Sequence, residues 1–261
     1  MKDFTITHIG NTALSLPMPF KFIKAKGEVF YFQMNDGTEY GSKKEGTPIT
    51  FENDLWLCAY PTTQEFWEAV VKEAEIGELK ELPSYFLGKH RPLENASWDE
   101  VQLFCNALNE LKQSDNLKFR ANKKIKGRFG LPSEVQWEYA AKANQSFIFS
   151  GSQNLNDVAW YDENSSKRTM PVGLKNPNAF GLFDMSGNVW EWCEEENITN
   201  LNDMPKGGSF LQKNDVKKVL RGGSFFKNAL NCFLLSRFSL SSNSRMNNGG
   251  FRMSFNNSFF R

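Results

Sequence analysis

The chain has 261 residues, near the upper limit for one domain, and no Pro/Gly/Ser-rich or charged stretch reads as a linker, so a single domain over 1–261 is expected. Lys plus Arg number 31 against 30 Asp plus Glu, and the net charge of +1 supplies no general attraction to phosphate backbones or anionic membranes, which argues against nucleic acid as a partner. No apolar run reaches membrane-spanning length, and Asp3, His8 and Asn11 interrupt residues 1–20, so the expectation is a cytoplasmic protein without a signal peptide and without membrane insertion; surface display by another route stays open.

In chain order, residues 5–50 mix short alternating runs such as EVFYFQM (28–34) with turn signals at Asn35-Asp36-Gly37 and Gly46-Thr47-Pro48, which predicts strands joined by turns. Two amphipathic helices follow, each introduced by a polar capping sequence: Thr62-Thr63-Gln64-Glu65 before Phe66, Trp67 and Val70, and Ser97-Trp98-Asp99-Glu100 before Val101, Phe104, Cys105 and Leu108. A third, shorter helix fits Pro132-Ser133-Glu134 to Lys142, with Val135, Trp137 and Tyr139 on apolar faces. Beyond Ala143 no long helical period survives. Gly181, Gly187, Gly207-Gly208, Gly222-Gly223 and Gly249-Gly250 punctuate a region of short strands and irregular loops, so the fold class is α+β with much ordered coil.

Cys58, Cys105, Cys193 and Cys232 are widely spaced with no Cys-x-x-Cys pair, which favours buried free thiols over a zinc site or a disulfide framework. Of 24 Phe, eight fall between Phe225 and Phe260, where Asn and Ser are also abundant. Arg221, Arg237 and Arg252 flank strand-like stretches, with Glu138 and Glu191 as available partners for buried ion pairs.

Four stretches in order, YPTTQEFW (60–67), PLENASWDEVQLFC (92–105), GRFGLPSEVQWEYAA (127–141) and NAFGLFDMSGNVWEW (178–192), followed by VLRGGS (219–224) and GFR (250–252), resemble the formylglycine-generating enzyme and sulfatase-modifying factor family. The resemblance spans Tyr60 to Arg252 and is loose over the first fifty-odd residues. It implies a C-type lectin-like fold. Trp190 and Trp192 in the GNVWEW motif are read as core residues in a strand rather than as ligand contacts.

In the family that this chain resembles, copper held by two cysteines oxidises a substrate cysteine. Without gaps, those two positions fall on Lys227 and Cys232, and a charged lysine offers no lone pair to a soft metal, so no copper is expected. A three-histidine iron site, the other chemistry of this fold, needs more than the two histidines present, His8 and His90. A copper-dependent formylglycine-generating oxidoreductase, or an enzyme derived from one, is the alternative reading.

The stretch 221–252, RGGSFFKNALNCFLLSRFSLSSNSRMNNGGFR, resembles the variable region of proteins diversified by diversity-generating retroelements, in which adenine-directed mutation of AAC codons leaves Phe, Ser, Leu or Asn. The resemblance implies a fixed frame of Arg221, Gly222, Gly223, Ser224, Ala229, Cys232, Arg237, Arg245 and Gly250 to Arg252. The ligand-binding positions between them are Phe226, Lys227, Asn228, Leu230, Asn231, Phe238, Ser239, Leu240, Ser241, Asn243, Ser244, Met246, Asn247 and Asn248. Apolar anchors among small polar residues suit a protein ligand. Phe233, Leu234 and Leu235 read equally as part of that face or as a core strand. The family resemblance also implies one structural calcium, with Asp184, Gly187, Val189 and Glu191 as ligands. The alternative for the two carboxylates is ion pairing to Arg221 or Arg252. A second calcium site of the family falls on Val158 and Ala159, which lack side-chain oxygens, and is expected to be absent.

Overall fold

The alternating pattern at the N-terminus forms a long antiparallel hairpin of β1 (Phe4–Ile9) and β2 (Thr12–Ile23), which buries Phe4, Ile6, Ile9, Met18, Phe20 and Ile23. The structure is a computed structural model and describes residues 2–33, 46–79, 82–120, 126–196 and 217–256. The turn expected at Asn35-Asp36-Gly37 and the pair Gly207-Gly208 lie outside the described residues. β3 (Val29–Phe32) and β4 (Thr47–Thr50) make a separate two-stranded ribbon, and β5 (Leu55–Cys58) pairs with β2.

The three long helices begin within the stretches the sequence indicated, and α2 (Trp98–Gln113) begins at the cap expected for it. α1 (Gln64–Glu73) is capped by Thr63, whose hydroxyl accepts from Phe66 N. Its third helical residue is Phe66, so the capping box expected there does not close; Glu65 instead accepts from the backbone of Ser15 and Leu16. α2 (Trp98–Gln113) and α3 (Glu134–Lys142) each carry a closed capping box, Ser97 with Glu100 and Ser133 with Gln136, and such caps typically contribute about 1 kcal/mol. A one-turn α4 (Leu155–Val158) follows.

Between and beyond these helices the chain adds β6 (Leu117–Arg120), β7 (Arg128–Gly130), β8 (Ala159–Trp160), β9 (Ser186–Gly187), β10 (Trp190–Glu196), β11 (Lys217–Arg221), β12 (Arg237–Ser241), β13 (Gly249–Phe251) and β14 (Ser254–Asn256). One sheet runs β6-β1-β2-β5-β14-β7 and a second runs β12-β11-β10-β13, with β10 and β13 parallel. The two sheets share a core: Phe66, Trp67, Phe104 and Leu108 of α1 and α2 cluster with Phe4 and Phe20 of the first sheet and with Trp190, Trp192, Leu220 and Phe251 of the second. Trp67 stacks on Phe104 with ring centroids 4.7 Å apart. A second cluster joins α3, through Val135, Trp137 and Tyr139, to Phe30, Phe32, Val219 and Leu234.

Candidate binding surface

The C-terminal stretch leaves the four-stranded sheet at Arg221, rejoins it as the edge strand β12 over Arg237–Ser241, and returns again at Gly249, so the segments between are held by those pairings and by the arginines that grip the scaffold. Arg221 is fully buried; its Nη1 donates to Glu134 Oε1 at 2.8 Å, and its Nη2 to Glu138 Oε2 and the Leu234 carbonyl, both at 2.8 Å. Burial opposes its charge, but Glu138 and Glu134 more than offset that and raise its pKa. Arg237 grips the same Glu134 from the neighbouring strand, Nε to Oε1 at 2.6 Å and Nη2 to Oε2 at 2.8 Å. Arg245 makes the corresponding fork on Glu100, and Arg252, also fully buried, makes it on Glu191 at 3.0 and 2.8 Å. Fork-shaped guanidinium–carboxylate pairs fix orientation as well as position. Glu138 and Glu191 were legible as partners in the sequence. Glu134 and Glu100 were not, although Glu134 and Glu138 are spaced to share one face of a helix.

Two glycines let this frame close. Gly223, at φ +78°, lies under a one-turn 3-10 helix, Ala229–Cys232; a Cβ there would stand 2.5 Å from the Asn231 carbonyl oxygen and 2.9 Å from Cys232 Sγ. At Gly250 a Cβ would collide with the Leu93 carbonyl oxygen, so the β13 backbone can approach the 92–94 segment only without a side chain. Cys232 is fully buried and unpaired, as are Cys58, Cys105 and Cys193, and burial pushes its thiol up to about 12.

Between the grips the interposed residues face outward to different degrees. Phe226 and Leu230 are each 58% exposed and Phe238 38%, while Asn228, Asn243 and Asn247 are exposed too. Lys227, Asn231, Ser239, Leu240, Ser241, Ser244 and Met246 are half-buried, with Leu240 and Met246 resting against the shared core. Trp190 gathers several of these segments. Its ring lies 5.8 Å from Phe238, its backbone N–H donates to Asn248 O at 2.9 Å, and the Asn248 side chain donates to Ser224 Oγ at 3.0 Å. Asn248 is therefore buried and does not join the outward face, because its amide is used to tie the end of the stretch to its beginning. Of the ambiguous trio, Leu234 is buried in the second core cluster, Phe233 stacks on Phe149 at 5.1 Å, and Leu235 is half-buried; none belongs to a strand. Trp137, Trp190 and Trp192 are all buried.

A neighbouring loop was missed from sequence. Tyr85 and Leu87 are 72% and 69% exposed, and a chain of edge-on rings runs Tyr85–Phe86–Phe225–Phe226 with centroid separations of 4.9, 5.2 and 6.2 Å. Glu94 holds this loop by accepting from Tyr85 N and Phe86 N at 2.6 and 2.8 Å. No hydrophobic period marks residues 84–88, so only the aromatic doublet hinted at it.

Of the four positions implied for calcium, the two carboxylates are engaged by donors of the protein itself. Both oxygens of Glu191 are taken, by the Arg252 guanidinium and by Trp137 Nε1 at 2.7 Å, so a divalent ion there would stand against a buried positive charge. Asp184 accepts from Gly173 N at 2.8 Å and sits beside Asn188, and burial raises its carboxyl to about 6. Gly187 is used in the β8–β9 pairing, its N–H donating to Gly222 O, and Val189 is fully buried. Ion pairing is thus the arrangement found for Glu191, while Asp184 serves backbone and amide donors. Among the described residues no cluster of three or more His, Cys, Asp or Glu side chains is placed to hold a metal.

The fold and the residue framework define the class: the chain belongs to the sulfatase-modifying factor enzyme 1-like domain family, which it matches over residues 24–256. Chaperone protein LppX of Paenibacillus barcinonensis is 30% identical over 224 residues, covering 68% of this chain and 77% of that protein. The formylglycine-generating enzyme of Streptomyces coelicolor is 24% identical over 94% of this chain and 76% of its own length. Among solved structures, Treponema denticola variable protein 1 superposes with a TM-score of 0.73 at 26% identity, covering 97% of this chain and 98% of that one. PvdO from Pseudomonas aeruginosa, at 21% identity and TM-score 0.71, covering 91% of this chain and 94% of that one, shares the fold. The C-type lectin-like α+β fold read from the sequence is the fold observed, and no helix among the described residues is long and apolar enough to cross a membrane.

Proposed function

We propose that this protein is a non-catalytic ligand-binding scaffold whose C-terminal stretch 221–252 presents a diversifiable face to a protein ligand, in the manner of diversity-generating retroelement variable proteins. The observation that carries this reading is the division of labour within one stretch. Arg221, Ser224, Cys232 and Arg252 are buried, and Arg221 and Arg252 are bonded to carboxylates of the scaffold, whereas the interposed Phe226, Leu230 and Phe238 are the large apolar side chains left exposed. Rigid support with substitutable loops is how recognition surfaces are built, and exposed aromatics are the residues that dominate interface energy. Similarity to a variable protein over nearly the full length supports it.

The curated relatives called formylglycine-generating enzymes supply the rival reading. Against it stand Lys227 at one copper-ligand position and the chemistry of Cys232, a buried thiol raised to about 12 and so protonated at neutral pH. The test pairs two assays. The purified protein, charged with Cu(I) and given a cysteine-containing peptide, should form no aldehyde. A library varied at Phe226, Leu230, Phe238 and Asn243 should stay folded and yield binders to unrelated proteins. Copper-dependent aldehyde that disappears in Cys232→Ser would overturn the proposal.

A further inference from the structure

We propose that the loop 83–88 is a fixed part of the same binding face, so that Tyr85 and Leu87 contact the protein ligand that the stretch 221–252 binds. The inference rests on the ligand-binding reading above and extends it to residues outside that stretch, which stay constant when the displayed positions change.

The loop is seated on the C-terminal stretch at two places. Near its tip, Phe86 packs edge-on against Phe225 with ring centroids 5.2 Å apart. At its base Asn95 acts as a hook: the backbone N–H donates to Met246 O at 2.8 Å, and the side-chain amide donates to Pro83 O at 2.9 Å. Asn95 holds this position at φ +64°, a left-handed conformation that asparagine adopts more readily than most residues. Between the two seats the fully buried Glu94 draws the backbone in, its Oε1 accepting from both Tyr85 N and Phe86 N, while its own N–H donates to Ser84 Oγ at 3.2 Å. Gly88 N donates to Gln64 Oε1 at 2.9 Å, which ties the far end to the first turn of α1. The backbone is thus bonded at Pro83, Tyr85, Phe86 and Gly88, yet the Tyr85 and Leu87 side chains are 72% and 69% exposed.

Phe225 decides what the loop does when the face varies. It is 1% exposed and not one of the displayed positions, so the seat of Phe86 is the same whichever residues stand at 226, 230 or 238. On its other side Phe225 meets the exposed Phe226 at 6.2 Å, and Tyr85 meets Phe86 at 4.9 Å, which makes Tyr85 and Phe226 the two outer members of one row of rings. A ligand that covers Phe226 therefore lies against the same row that ends in Tyr85. Specific protein interfaces engage roughly 20–30 residues a side, more than the interposed positions of 221–252 supply, so the ligand's footprint extends onto neighbouring surface. Tyrosine on backbone that is already fixed offers a large contact at little cost in conformational entropy. Continuity with the displayed residues assigns this patch to their ligand rather than to a second copy of the chain.

The test selects binders to lysozyme, ubiquitin and serum albumin from the full chain varied at Phe226, Leu230, Phe238 and Asn243, and then introduces Tyr85→Ser with Leu87→Ser into each binder. Affinity is read by titration calorimetry and folding by thermal melting. At least two of the three binders should weaken roughly tenfold or more, as loss of an aromatic anchor does. Their melting should match that of the unsubstituted binder, because both side chains are exposed. Tyr31→Ser, at a 59% exposed aromatic on the β3–β4 ribbon, should leave affinity unchanged. Unchanged affinity in two or more binders overturns the inference and leaves the scaffold reading standing, whereas a library that yields no binder removes both. A concentration-dependent dimer of the parent chain that Tyr85→Ser dissolves would give the patch to a second copy and overturn the inference as well.

Discussion

Replacing Glu134 by Gln probes the frame at its most connected point. Glu134 is 2% exposed and accepts from Arg221 Nη1 through one oxygen and from Arg237 Nε and Nη2 through both. The amide keeps shape but removes the charge that Arg221 and Arg237 share, leaving Arg221 with Glu138 as its carboxylate partner. Breaking one side of a buried pair costs about 3–5 kcal/mol, because the remaining charge stays desolvated. At roughly 2–4 °C per kcal/mol for a domain approaching this size, Tm should fall by roughly 6–20 °C. Phe226→Ser lies five residues from Arg221 in the same stretch, yet its side chain is mostly exposed, and such surface changes stay within about 0.5 kcal/mol. Calorimetric or fluorescence melts of the two variants side by side decide the matter. Equal losses, or a larger loss for Phe226→Ser, would refute the separation of frame from displayed residues.

Glu94 should give the protein a pH dependence of definite sign. Burial raises its carboxyl from an ordinary 4.5 to about 7, against the two backbone N–H bonds that lower it. The native state therefore holds a proton that the unfolded chain releases, and this group's contribution to stability falls as pH rises from about 4.5 to about 7. Urea midpoints for Glu94→Gln should vary less over that window than wild type; an unchanged slope would count against it. Asp184, raised from 3.8 to about 6 chiefly by burial, adds a term of the same sign at lower pH. Because Glu191 is held by Arg252, melts in excess calcium and in chelator should share one midpoint, and a calcium-dependent rise would restore the metal reading. Iodoacetamide at neutral pH should leave native Cys232 unmodified, and rapid stoichiometric labelling there would contradict its burial.

The sequence was most informative where local chemistry decides structure. Ser97 with Glu100 announces a helix start because the cap is satisfied within four residues, whereas α3 was read from Pro132 at its entry and the Ser133–Gln136 box that closes there went unread. The frame of the C-terminal stretch was readable from its Arg, Gly and Cys positions, and Glu138 and Glu191 were readable as partners. What failed was pairing across distance. Glu134 and Glu100 reach Arg237 and Arg245 over more than a hundred residues, and no local pattern encodes that. Asn248 looked like one more variable Asn, but the parallel pairing of β10 with β13 turns it inward to Ser224. Glu191 looked equally fit for calcium or arginine until the position of Arg252 beside β10 resolved the choice. Tyr85 and Leu87 sit in irregular backbone pinned by a buried carboxylate, a contact that periodicity cannot foresee.

The most direct test of a binding scaffold is a selection in which the outward positions Phe226, Leu230, Phe238 and Asn243 are randomised together on an otherwise unchanged chain. The account predicts that most clones melt close to the parent and that clones binding a chosen protein emerge with those positions enriched in aromatic residues. General unfolding of the library, or copper-dependent oxidation of a peptide cysteine by the parent chain, would contradict it.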